Sequence, residues 1–376
     1  MIRLGSPSIS AEDIARVGSV LSTGLLVQGP QVQAFEAELA TLLDVKHVVV
    51  MSNCTSALEV ALRALGVGQS DLVVTSSYSW VATANVIEVV GATPVFVDIS
   101  PTSYNLDMEA LGQTLGKLER AGDLRRVRAI MPVHAFGYGA DLLAIQDIAG
   151  KLGVPVLEDA ACALGANMAG RALGTIGDVG CFSFHPRKSI TTGEGGALVT
   201  SEDSVATFAR SYRNHGQSPT TAHKFEAIGH NYRLTDPMAA LGRSQLLRLP
   251  AFLERRHLIM RTYLDLLKGH VELPEFDPER HTGQAFVVLI PEDLERDDIM
   301  NRMMMDGVET GTGTIAIPFT DVYRRKYGFK PDDFPQLASI VHRTLALPIH
   351  AAMSIADAES VASALIHALS RVASRT

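Results

Sequence analysis

Residues 181–196 read Cys181-Phe182-Ser183-Phe184-His185-Pro186-Arg187-Lys188-Ser189-Ile190-Thr191-Thr192-Gly193-Glu194-Gly195-Gly196, and Ala197-Leu198-Val199 follow. An apolar run enters a turn rich in hydroxyls and glycine, and a second apolar run leaves it. The stretch therefore predicts two strands with a lysine held between them. Most lysines are solvated surface charges. One lodged between apolar strands and beside hydroxyls can lose its charge and act as an amine nucleophile toward an aldehyde.

Working outward, short β-branched runs alternate with helix-period segments from about residue 45 to residue 200. The runs fall at 48–50, 72–74, 93–97, 128–131, 154–157 and 196–199, with amphipathic stretches such as 56–65 and 142–152 between them. This alternation predicts an α/β fold with a mostly parallel sheet, and the near-continuous apolar runs suit strands buried on both faces. One long helical stretch is expected over 236–267, opening on Asp236-Pro237. After Pro274 a strand at 285–290, a helix at 297–305 and a terminal helix at 355–372 suggest a small α+β domain. The division expected is a large domain over 1–245 and a small C-terminal domain over 246–376, with the first residues packing on the small one. The polar segment 215–228 reads as a mobile loop.

The 376 residues are 47% hydrophobic and 20% charged with a formal net charge of -8, an ordinary globular composition that disfavours nucleic-acid and anionic-membrane partners. The three cysteines, Cys54, Cys162 and Cys181, show no CxxC or Cys/His spacing for zinc and make an awkward disulfide set. No metal is expected, and a reducing cytoplasm is the simplest location. The chain opens Met1-Ile2-Arg3-Leu4-Gly5 without an apolar targeting core, and no run is long enough to span a bilayer.

Three further stretches carry chemistry. Val154-Pro155-Val156-Leu157-Glu158-Asp159-Ala160-Ala161 is a buried run ending in acids. An acid there is either a helix cap or a ligand contact at the carboxyl end of a parallel strand. Met51-Ser52-Asn53-Cys54-Thr55-Ser56 places small polar residues at a helix start, suiting either simple capping or a phosphate. Trp80, the only tryptophan, lies in Ser77-Tyr78-Ser79-Trp80-Val81-Ala82-Thr83, as a core residue or as a platform for a flat heterocycle. A phosphate seat, an aromatic platform, a carboxylate and a lysine on successive strand ends together fit pyridoxal 5'-phosphate (PLP). In that assignment the lysine takes the aldehyde and the carboxylate keeps the ring nitrogen protonated.

At these residues the chain resembles the DegT/DnrJ/EryC1/StrS aminotransferases. The likeness runs through Leu21-Ser22-Thr23-Gly24, Gly29-Pro30-Gln31-Val32, Pro94-Val95-Phe96-Val97-Asp98, Pro132-Val133-His134, Glu158-Asp159-Ala160-Ala161, the 182–196 block, Asn231-Tyr232-Arg233 and Leu345-Ala346-Leu347-Pro348. The resemblance implies a fold-type-I PLP-dependent transferase, aspartate aminotransferase-like, acting as a homodimer with shared active sites. It implies Lys188 as the Schiff-base and proton-transfer lysine and Asp159 as the partner of the pyridinium nitrogen. Ser183, Thr55 and Ser56 would contact the phosphate, Trp80 would stack on the ring, and Asn231 would reach the neighbouring subunit's cofactor. Cys162 is counted among the cofactor contacts, although the family commonly has a polar Gln or His there, and Cys54 stands where glycine is common. His185, Arg187, Tyr232 and Arg233 are candidates for substrate contacts, with structural hydrogen bonding an equal reading. The C-terminal Pro-x-His pattern reads Pro318-Phe319-Thr320, and Ala338 stands where an acid is usual.

The activity so implied moves an amino group from L-glutamate, or L-glutamine, through pyridoxamine 5'-phosphate to a keto sugar, most often nucleotide-linked. A keto-cyclitol is the close alternative acceptor. Related sugar dehydratases carry histidine at the lysine position, so Lys188 argues against a lyase. A non-catalytic PLP-binding regulator would need an added domain or a decayed site. Selectivity for the ketone is expected in two loops, 217–230 and 310–326.

Overall fold

The β-branched runs do become strands in the computed structural model, which describes residues 1–373. Helices α1 (Ala11–Thr23) and α2 (Pro30–Leu43) precede β1 (His47–Met51) and α3 (Cys54–Ala64). Next come β2 (Leu72–Ser76), β3 (Tyr78–Ser79), α4 (Ala82–Val89), β4 (Thr93–Val97), α5 (Met108–Ala121), β5 (Val127–Met131), α6 (Leu142–Leu152) and β6 (Leu157–Asp159). A small hairpin, β7 (Asn167–Met168) and β8 (Arg171–Ala172), leads to β9 (Val179–Ser183), β10 (Gly196–Thr200), α7 (Asp203–Tyr212) and α8 (Asp236–Leu246). The chain then runs through α9 (Leu249–Leu267), β11 (Phe286–Leu289), α10 (Arg296–Met305), β12 (Ile315–Ala316), α11 (Asp321–Tyr327), α12 (Pro335–Ile340), β13 (Thr344–Leu347) and α13 (Ile355–Ala373).

Strands β1, β10, β9 and β6 pair in that order, as do β4, β2 and β5. Parallel pairings of Ile130 with Val156 and Val133 with Asp159 join β5 to β6, giving one seven-stranded surface. Only β10 runs against the others. Side chains alternate between its faces. Val48, Val50, Phe182, Ala197 and Val199 pack with Val32, Phe35 and Leu39 of α2, whereas Val49, Met51, Cys181 and Leu198 pack with Ala57, Leu58 and Ala61 of α3. A separate apolar cluster joins α9, α10 and α13 to β11 and β13. The first residues run beside it: Ile2 donates its N–H to the Gly307 carbonyl at 2.8 Å, and its own carbonyl accepts from Glu309 at 2.9 Å.

Two elements differ from the sequence reading. The single helix expected over 236–267 is two, α8 and α9, separated at Leu247 and Arg248. Pro250 explains the break: its ring nitrogen has no proton to continue the ladder, so it is accommodated in the first turn of a new helix. The strand expected over 154–157 begins only at Leu157, because Pro155 cannot donate and the Val156 N–H is taken by the Asp178 carboxylate at 2.8 Å. No helix among the described residues is long and apolar enough to cross a membrane.

Asp236, read as the opening of its own helix, also caps another. Helix α2 starts at Gly29-Pro30, where glycine has no side chain to satisfy the free N–H groups. Asp236 supplies the acceptor from across the chain, taking the N–H groups of Gly29 at 2.8 Å, Val32 at 3.0 Å and Gln31 at 3.2 Å. Asp236→Ala should therefore cost about 1–3 kcal/mol, read as a lower urea midpoint at unchanged slope. Asp236→Asn should recover part of the loss, since the amide oxygen can still accept.

Candidate active site

The parallel strands bring their carboxyl ends to one edge, where β1, β2, β6 and β9 finish in Met51, Ser76, Asp159 and Ser183. Gly196 on β10 faces both Met51 and Ser183 in register. A Cβ at Gly196 would lie 2.4 Å from the Cys54 nitrogen, so only glycine lets the start of α3 settle here. Ser183, Thr55 and Ser56 are thereby drawn toward one end of the sheet. Asn53 is the cap of α3, accepting from the Ser56 N–H at 2.8 Å and the Ser56 hydroxyl at 3.0 Å. Thr55 is exposed.

The lysine loop spans the gap between β9 and β10. Its neck is closed by the Phe184 N–H on the Gly195 carbonyl at 2.8 Å and the Thr192 N–H on the Phe184 carbonyl at 3.0 Å. Gly193 turns through φ 80°, a conformation that favours glycine. The Lys188 N–H donates to the His185 carbonyl at 2.8 Å, and Arg256 of α9 reaches the Lys188 carbonyl at 3.4 Å. Gln284 donates to the neighbouring Arg187 carbonyl. Lys188 Nζ ends 3.0 Å from the Cys162 sulfur. Burial pulls this amine down, but Cys162, Cys54 and Asp159 outweigh it and hold it above the usual lysine range.

Glu158 and Asp159 are adjacent and both buried, yet their surroundings differ completely. The Glu158 carboxylate accepts from the N–H groups of Gly174 at 2.6 Å, Ile176 at 2.7 Å and Gly177. It also meets His134 Nε2 at 2.9 Å; His134 Nδ1 accepts from the Ala140 N–H, which places the ring proton on Nε2. Glu158 is saturated. Asp159 accepts from the Thr83 hydroxyl at 2.7 Å and the Ala161 N–H at 3.2 Å, and forms no ion pair among the described residues. Thr83 is held in turn by Ser79 at 2.8 Å. A buried carboxylate without a direct cationic partner is costly, and a ring N–H⁺ would relieve it. The donor set thus fits PLP: an amine for the aldehyde, a carboxylate for the ring nitrogen, and hydroxyls with helix N–H groups for the phosphate.

The chain is matched over residues 7–366 by the model of the DegT/DnrJ/EryC1/StrS aminotransferase family. It belongs to that family. The spore coat polysaccharide biosynthesis protein SpsC of Bacillus subtilis is 35% identical over 96% of this chain and 95% of its own. A DegT DnrJ EryC1 StrS aminotransferase from Brucella abortus superimposes with a TM-score of 0.88 at 32% identity, covering 94% of each chain. DesV of S. venezuelae, solved with a ketimine intermediate, gives 0.88 at 31% identity over 96% of this chain and 95% of that one. The protein is thus a PLP-dependent aminotransferase with the expected fold.

The remaining residues singled out in the sequence fall as follows. Trp80 follows β3 and is 65% exposed, not core. Asn231 is exposed and pairs through its backbone with Asn214. The Tyr232 hydroxyl donates to Glu59 at 2.9 Å, and Arg233 donates to Asn214 at 2.6 Å. His185 is half-buried and accepts from the Arg187 N–H at 3.2 Å; burial lowers its pKa, which favours the neutral ring. The Arg187 side chain is exposed. Segment 310–326, expected as a loop, contains β12 and most of α11, and β12 pairs with β3 directly before Trp80.

Sequence reasoning missed Thr83, Ser79, Arg256, Gln284 and Thr282, the last of which donates its hydroxyl to the Cys162 carbonyl at 2.7 Å. The first two stood inside the quoted Trp80 stretch, where hydroxyls beside a strand end were the available signal. The others come from distant parts of the chain and carry no local mark. Because Glu158 is the staple behind Asp159, Glu158→Gln should turn an acceptor into a donor against backbone N–H groups. A loss of about 3 kcal/mol in equilibrium unfolding is expected, with PLP affinity falling as Asp159 shifts.

Proposed function

We propose that this enzyme transfers the amino group of L-glutamate, or L-glutamine, to a keto sugar, most often nucleotide-linked, in two half-reactions at one site. The observation that carries the reading is a Lys188 amine that feels the charge of a buried Asp159, a carboxylate that forms no ion pair among the described residues. The sugar class is supported by the likeness to a protein of polysaccharide biosynthesis. PLP, when bound, supplies an electron sink for removal of a proton from the carbon bearing the amine.

The chain's own residues then have distinct tasks. Lys188 Nζ takes that proton and returns it, a single base serving both directions. Asp159, oriented by Thr83 and the Ala161 N–H, holds a proton at the ring nitrogen. Ser183, Thr55 and Ser56 bind the phosphate, and Trp80 covers the ring. A homodimer with shared sites fits the exposed Asn231, which would reach the other subunit's phosphate. Exposed Leu25, Leu26, Val27, Phe225 and Ile228 are apolar surface of the kind a partner subunit covers. His185 and Arg187 are proposed to meet the acceptor, whereas Tyr232 and Arg233 are already engaged within the chain.

The purified protein with PLP should show a visible absorbance band that L-glutamate converts to a near-ultraviolet one. A panel of keto sugars and keto-cyclitols should contain one that restores it. Lys188→Ala should abolish the band and lower turnover at least about 100-fold. A band unmoved by glutamate, glutamine and alanine would overturn the reading. Thr83→Val removes a donor to a buried carboxylate and should weaken PLP binding about tenfold in a spectral titration, with Thr83→Ser restoring it.

A further inference from the structure

Amino transfer gives the Cys162 sulfur no proton to move and no bond to make, yet it lies 3.0 Å from the one amine the reaction needs. Of the three thiols, Cys54 is 8% and Cys181 0% exposed, whereas Cys162 is only half-buried and open to a small oxidant. Both backbones are pinned. The Cys162 carbonyl accepts from the Thr282 hydroxyl at 2.7 Å, and the Lys188 carbonyl accepts from Arg256 at 3.4 Å. The pair, rather than the thiol alone, makes the site: an oxidisable sulfur with a nitrogen nucleophile already in contact.

We propose that Cys162 and Lys188 form an oxidative modification site, in which hydrogen peroxide closes a covalent S–N bond between Cys162 Sγ and Lys188 Nζ whenever the lysine is not engaged by the cofactor. The bond would take Lys188 out of service until a thiol reductant reopens it. Its effect on activity rests on Lys188 being the cofactor lysine; its formation does not.

The chemistry balances with peroxide as the only oxidant. The Cys162 thiolate attacks one peroxide oxygen; the S–O bond forms, the O–O bond breaks, and sulfur is oxidised by two electrons. The departing hydroxide takes a proton from the Lys188 ammonium, leaving water, a sulfenic acid and a free amine. That amine attacks the sulfur; S–N forms, S–O breaks, and a second water carries off the hydroxyl and an amine proton. Two equivalents of an added thiol return cysteine and lysine and leave one disulfide. The ammonium is thus first the proton donor and then the nucleophile. Cys54 is a poor competitor, since burial pushes its thiol well above the ordinary range. Attack by a neighbour in contact should also outrun a second, bimolecular oxidation.

The test treats the full-length protein, freed of PLP, with limited hydrogen peroxide and reads intact mass and peptide maps. The expected product is lighter by two hydrogen atoms, joins the peptides holding Cys162 and Lys188, and disappears with dithiothreitol. Cys162→Ser should not form it, and Lys188→Ala should stop at a sulfenic acid that a dimedone probe captures; circular dichroism checks that both variants fold. Cys162 recovered only as sulfinic acid, or joined to Cys54 as a disulfide, would overturn the proposal. PLP-loaded protein should resist cross-linking. A link that PLP does not suppress would leave the S–N site standing while counting against Lys188 as the cofactor lysine.

Discussion

A carboxylate buried away from water must find donors or a positive charge, and residues 158 and 159 meet that demand in opposite ways. Successive strand residues face opposite sides of a sheet, so the two acids enter different environments although they are neighbours in the chain. Glu158 meets three backbone N–H groups and His134, which ties β6 to the turn at residues 174–177. Asp159 receives a hydroxyl and one N–H and forms no ion pair among the described residues. The first arrangement holds the strand; the second leaves a buried carboxylate at its end with room for a further donor.

The lysine is placed by a different set of forces. Its loop closes through hydrogen bonds within the β9–β10 connection, but the loop's outer side is held by the C-terminal part of the chain. Arg256 spends its guanidinium on the carbonyls of Gly283, Ile349 and Lys188 rather than on a carboxylate. Burial lowers its pKa to about 10, so it remains charged at neutral pH and its donors stay available. Residues near 282–284 and α9 therefore act on the position of Lys188 without contributing a reacting group. The segment carrying Trp80 is treated likewise: β12 pairs with β3, and the Tyr323 hydroxyl donates to Asn85 at 2.9 Å. Both the Lys188 loop and the Trp80 segment thus lean on chain that follows residue 245.

Much of this was legible beforehand because it rests on short-range patterns. The β-branched runs, the helix start around Asn53, the amphipathic stretch 142–152 and the glycine-bounded lysine turn each declare themselves within about ten residues. Boundaries failed where a proline changed which N–H groups were available, at Pro155 and Pro250. Segment 310–326 reads as loop in the sequence because two residues of β12 carry no periodicity; β12 forms by pairing with β3. The capping of α2 by Asp236 was equally invisible, since the acid lies far along the chain and also opens a helix of its own.

What the sequence determined by itself was the α/β class, the family, the cofactor and the candidacy of Lys188 and Asp159, because each depends on residue type at short spacing. Only the tertiary structure decided that Thr83 orients Asp159, that Arg256 and Thr282 hold the lysine and cysteine loops, and that Cys162 touches Lys188. Those are contacts between segments brought together by folding, and hydrogen bonds and buried charges are settled by distance in space rather than by separation along the chain.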